Sequence, residues 1–135
     1  MIAVELKMVA LATIVLFVYL FAPAMIRFAT FGPGWAAGAR DKTPGEVPLA
    51  GQRSERAFRN MLETFPVFVA LAIAVVVAGL SSPVSVLGSQ IYVVARIFYL
   101  PAYVVHIPFV RSLVWAAAFL GILMTGAPLF GALLG

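Results

Sequence analysis

The chain is 135 residues long, 64% hydrophobic and only 10% charged, with nine basic residues against five acidic ones. Soluble domains carry about 25% charged residues, so an ordinary soluble fold is excluded, and at about 20 apolar residues per crossing the length holds four membrane spans and little else. The absence of cysteine and the single histidine exclude disulfides, thiolate metal sites and a histidine-based metal cluster within one chain. The basic residues sit beside apolar segments instead of forming a run, which argues for a topology signal and against a nucleic-acid partner.

The first predicted span covers residues 3–26. Its polar residues, Glu5 and Lys7, lie in the first two turns, where they are expected to snorkel to the interface. Ala22-Pro23-Ala24 resembles a signal-peptide cleavage site. The apolar run before it is longer than a usual signal core, however, and Glu5 cancels Lys7, so a retained span is expected. Arg27 closes the span. Residues 27–55 are punctuated by Gly32-Pro33-Gly34, Thr43-Pro44-Gly45, Pro48 and Gly51, and read as an aqueous or interfacial loop with mixed charge.

The second span is expected over residues 56–79, with Ser54 as its N-cap and a kink at Pro66. It opens with Arg56, Arg59, Asn60 and Glu63, whose spacing places them on one helical face. A charge deep in a bilayer costs from about 3 to more than 10 kcal/mol, so such a face marks a site. Leu80-Ser81-Ser82-Pro83 forms an uncharged turn into the third span, residues 84–106, which carries Tyr92, Arg96, Tyr99 and Tyr103 on one face before His106. Pro108 and Arg111 precede the fourth span, residues 112–134.

Arg27, Arg40, Lys42, Arg53, Arg56 and Arg59 gather around the first loop, and Arg111 falls on the same side. The positive-inside rule places both loops in the cytoplasm and both termini outside it. Span two therefore descends from the face to which span three rises. Glu63 lies about 10 Å below Arg56 and Arg96 about 15 Å below His106, depths that suit an ion pair within a chain or between neighbours. The remaining cations, with Asn60 and tyrosine hydroxyls, suit an anionic ligand bearing carboxylates and amides. An arginine beside a ligand thiol would favour its thiolate.

Arg56-Ala-Phe-Arg59-Asn60-Met-Leu-Glu63-Thr64-Phe65-Pro66 resembles the second-span signature of the MAPEG superfamily, the membrane-associated proteins of eicosanoid and glutathione metabolism. The likeness continues in Ala95-Arg96-Ile-Phe-Tyr99-Leu-Pro-Ala-Tyr103 and in Pro108-Phe-Val-Arg111-Ser112, and so spans essentially the whole chain. It looks like the compact bacterial branch, which points to a bacterial inner membrane. The resemblance implies an all-α integral membrane protein, a bundle of four transmembrane helices assembled as a homotrimer, with glutathione bound between subunits near the cytoplasmic face. By position, Arg56, Arg59, Asn60, Glu63, Tyr99, Tyr103, Ser112 and, more weakly, Arg27 would hold glutathione. Arg111 would stabilise the thiolate, and Arg96 would pair with Glu63. The implied activity is a glutathione-dependent transferase or peroxidase acting on lipophilic electrophiles or hydroperoxides from the bilayer.

Plainer roles stand beside these. Arg56, Arg59 and Arg111 also suit interfacial anchors, Tyr92 suits packing, His106 suits the interface, and Glu63–Arg96 suits a purely structural ion pair. A non-catalytic trimeric scaffold or accessory subunit is the alternative function. A proton-coupled exporter would need a deep, freely titrating carboxylate, and Glu63, the only deep acid by sequence, has arginines at hand.

Overall fold

The computed structural model describes residues 2–135. Four helices follow one another: α1 (Val4–Ala37), α2 (Leu49–Val77), α3 (Pro83–Val105) and α4 (Pro108–Leu134). Each is long and apolar enough to cross a membrane. Large side chains such as Phe17, Phe21, Phe98, Phe119 and Leu123 lie exposed along these helices, as lipid contact requires. The protein is an integral membrane four-helix bundle.

Two helices reach well into the stretch expected to be a loop. α1 continues past Arg27 and breaks only at Gly32, whose φ of 81° and ψ of 171° lie outside helical space. Glycine alone takes that conformation cheaply, and Pro33 restarts the helix directly after it. α2 begins at Leu49, directly after Pro48, so Arg53-Ser54-Glu55 are helical. Ser54 is not the N-cap. It is buried in the second turn and donates back to the Gly51 carbonyl at 2.9 Å. The connection thus shrinks to residues 38–48. α2 passes through Pro66 as one continuous helix.

The opposite end is tightly capped. Gly79, at φ 69°, and Leu80 donate to Val76 and Val75 respectively, a Schellman closure of α2. Three residues later Ser82 and Ser85 bond reciprocally as a capping box at the start of α3. Gly79→Ala should cost about 1 kcal/mol, because a Cβ is disfavoured in the left-handed region even where space is open; thermal unfolding in detergent reads the loss.

Glu5 does not snorkel. It is 1% exposed, and Ser85 of that capping box donates to its carboxylate at 2.6 Å. The N-terminal end of α3 carries positive partial charge, which compensates a buried anion better than the interface would. α1 is thereby tied to α3 at the end of the bundle remote from the arginines.

α3 and α4 make the closest approach. A Cβ built on Gly88 would lie 2.6 Å from Met124 Cβ and Thr125 N, and one on Gly121 would lie 2.7 Å from Gly88 O and Tyr92 N. The two backbones touch there, the small-residue packing that membrane helices use in place of hydrophobic drive. Around this crossing Ala12, Phe68, Ala72, Tyr92, Ala118 and Ile122 form the central core.

Candidate functional site

At the basic end of the bundle, α2, α3 and α4 converge. Arg53 donates to the Val104 carbonyl at 3.1 Å, fastening the first turns of α2 to the last turn of α3. His106 then adopts φ 66° as a turn residue, and Pro108 starts α4. This short turn sets Arg111, in the first turn of α4, next to the face of α3.

A cleft of about 300 Å³ opens there, lined by Asn60, Tyr99, Tyr103, Arg111, Ser112 and Trp115. Five of the residues singled out by sequence therefore meet in one place. The Arg111 guanidinium stands 5.1 Å from the centre of the Tyr103 ring, and the Tyr99 and Tyr103 rings are 5.5 Å apart. Among the described residues, the Arg111 guanidinium and the hydroxyls of Tyr99 and Tyr103 have no hydrogen-bond partner and Arg111 has no ion pair. Ser112 reaches back only weakly, to the Pro108 carbonyl at 3.4 Å. The cleft thus presents unspent donors and one unpaired positive charge.

Arg96 lies behind the cleft and is completely buried. The intrachain ion pair expected with Glu63 is not made. Arg96 donates instead to Asn60 Oδ1 at 2.8 Å and to Thr64 Oγ1 at 2.6 Å. Its guanidinium also sits 5.4 Å from the Tyr92 ring and 5.2 Å from the Tyr99 ring. Residues 60 and 64 are one turn apart and share the face of α2 that meets α3. Glu63, about 100° round the helix from Thr64, is exposed. Matching depth therefore did not bring matching direction. Because Arg96 can only donate, Asn60 must turn its oxygen inward and present its amide hydrogens elsewhere, its Nδ2 lying 3.5 Å from Glu63 Oε2.

The other candidates occupy a different face. Arg27 pairs with Glu55, and Arg59 bonds the other oxygen of the same carboxylate at 3.1 Å. Arg56 is exposed and has no polar partner among the described residues. Within one chain, then, Arg27, Arg56, Arg59 and Glu63 do not line the cleft that holds Asn60 and Arg111.

Three residues escaped the sequence reading. Glu55 stands four residues before Arg59, a helical ion-pair spacing that was legible once α2 was allowed to start earlier. Thr64 stands four after Asn60 and completes the Arg96 fork. Tyr19, buried in α1, donates to the Arg96 carbonyl at 2.6 Å, and nothing in the sequence marks it. Tyr92 packs against Phe68 with ring centres 4.1 Å apart, in keeping with its plainer reading.

A profile of the MAPEG family matches residues 6–130. The chain belongs to the MAPEG family. Neither a curated protein nor a solved structure gives a match. MAPEG membership covers glutathione transferases and peroxidases as well as non-catalytic members, so the activity has to be argued from the cleft.

Proposed function

We propose that this MAPEG protein binds glutathione and uses its thiolate against a lipophilic electrophile or hydroperoxide. The observation that carries this reading is the set of unspent donors, Arg111, Tyr99 and Tyr103, converging on one cleft beside the Asn60 amide. Glutathione offers carboxylates, peptide carbonyls and a thiol, the acceptors and acid that such a set would engage. Arg111, without a competing carboxylate, would stabilise the thiolate and leave the thiol proton to water.

The thiolate sulfur then forms a bond to an electrophilic carbon, whose leaving group departs with its electron pair. With a hydroperoxide, sulfur attacks the terminal oxygen and the O–O bond breaks. An alcohol leaves after protonation, and a second glutathione converts the sulfenic acid to disulfide and water. Holding both reactants in one cleft supplies much of the rate.

Arg56, Arg59 and Glu63 lie on faces that one chain leaves outside the cleft, whereas Arg27 is held by Glu55 and takes no part in this reading. In this reading those three complete the site across the interface of a homotrimer, with Glu63 free to meet a neighbour. In this reading the cleft lies in the cytoplasmic leaflet with both termini on the other side, which basic-residue bias supports, and the likeness to the compact bacterial branch suggests a bacterial inner membrane.

The test is Arg111→Ala in the purified protein. The ultraviolet absorbance of bound thiolate should disappear, while calorimetry should show glutathione binding weakened by about tenfold, as for loss of one charge-assisted contact. An undiminished thiolate signal would remove Arg111 from this role. Glutathione binding by the unaltered protein without turnover of any electrophile or hydroperoxide would place it among the non-catalytic members.

A further inference from the structure

A second cavity, of about 510 Å³, lies between α1, the segment after the Gly32 break, and α2. It is separate from the Arg111 cleft and shares no lining residue with it. Its walls divide by chemistry. Leu20 and Met25 are apolar, whereas Arg27, Arg40 and Thr43 lie toward the connection. Leu20 is seven residues, or about 10 Å, farther along α1 from the basic end than Arg27. The cavity is therefore amphipathic along the membrane normal.

Three details of its polar end bear on what it could hold. Arg27 keeps its Nε buried without a partner, although its terminal nitrogen pairs with Glu55. Arg40 holds a left-handed backbone, φ 58°, that a non-glycine residue adopts only at a cost. In that conformation its Nε donates to the Ala36 carbonyl at 2.8 Å and its guanidinium lies 5.9 Å from the Trp35 ring centre. Trp35 is itself held by a 2.9 Å bond to the Lys42 carbonyl. The terminal nitrogens of Arg40 stay unspent among the described residues. Two lining arginines, Arg27 and Arg40, stand against one lining carboxylate, Glu55, which Arg59 also bonds, so the lining carries excess positive charge.

We infer that this cavity binds an acidic phospholipid of the bilayer, its phosphate between Arg27 and Arg40 and its acyl chain along Leu20 and Met25. Guanidinium forks match phosphate oxygens, and Trp35 sits where tryptophans favour the membrane–water boundary. A tailless peptide such as glutathione would leave the apolar floor unfilled.

Trp115→Phe leaves Trp35 as the single tryptophan and makes its fluorescence the reporter. The protein is reconstituted into vesicles containing equal fractions of either brominated-chain phosphatidylglycerol or brominated-chain phosphatidylcholine, the rest unbrominated. Phosphatidylglycerol should quench Trp35 with an apparent preference of about tenfold over phosphatidylcholine. Arg40→Gln, on an exposed connection, should remove most of that preference, and Arg27→Gln should do the same. Lys42→Gln removes an equal charge from the same connection but lines no part of the cavity, and should leave the preference intact. Equal quenching by the two lipids would overturn the proposal. So would an equal loss in Lys42→Gln, which would mean diffuse surface attraction, or release of the quenching lipid by glutathione, which would make the cavity part of the peptide site. Release by glycerol phosphate alone would show a free-phosphate site and overturn the lipid assignment.

Discussion

Gly121→Ala should destabilise the bundle by more than about 3 kcal/mol, although it adds a single methyl group. Overpacking a core usually costs about 1–3 kcal/mol because side chains can give way. Here the new methyl would stand 2.7 Å from the Gly88 carbonyl oxygen and the Tyr92 nitrogen, both backbone atoms. Neither can rotate aside, so α3 and α4 would have to separate. Separation would loosen Tyr92 and, through it, the wall behind Arg96. Gly131→Ala in the same helix provides the contrast, since nothing lies within 4 Å of its added methyl. There helix propensity alone should operate, for a gain of about 0.5–1 kcal/mol. Thermal or denaturant unfolding in one detergent measures both. Similar values for the two variants would show that the helices do not touch at Gly121.

Arg96→Lys should cost about 3 kcal/mol while preserving formal charge. The guanidinium makes two hydrogen bonds at once, to Asn60 and Thr64, and lies close to two tyrosine rings. An ammonium is a point donor on a flexible stem and cannot span both acceptors in that plane. Losing one bond to a charged group is worth about 1.5–3 kcal/mol, and weaker ring contact adds about 1 kcal/mol. Asn60 would also lose the partner that fixes its amide, so glutathione affinity should fall even where the protein stays folded. Unfolding and calorimetric titration on one sample separate the two effects. A folded Arg96→Lys protein with unchanged affinity would show that Asn60 needs no such support.

The sequence revealed depth far better than direction. Long apolar runs expose four crossings, and residue counting puts Asn60, Tyr99, Tyr103 and Arg111 at one end of the bundle. Glu63 and Arg96 were matched on the same count, yet one residue of register turns Glu63 some 100° from the face that α3 meets. Loop-like composition misled for a related reason. Glycine and proline mark where a chain can bend, and in the stretch from Gly32 to Gly51 only Gly32 and the segment up to Pro48 use that freedom. Gly51 is instead buried within α2, where an added Cβ would lie 3.1 Å from Ile26 of α1. The division of the arginines between two pockets was invisible as well, because it depends on Glu55 being helical.

The bond between Glu5 and Ser85 joins residues 80 positions apart in the chain. At a synthesis rate of about 5–20 residues per second, roughly 4–16 s separate the appearance of the carboxylate from that of its hydroxyl partner. Throughout that interval α1 carries an acid that the bilayer interior rejects, so its leading end has to remain near water. The seating of that end waits for α3, although the rest of α1 can already pack on α2.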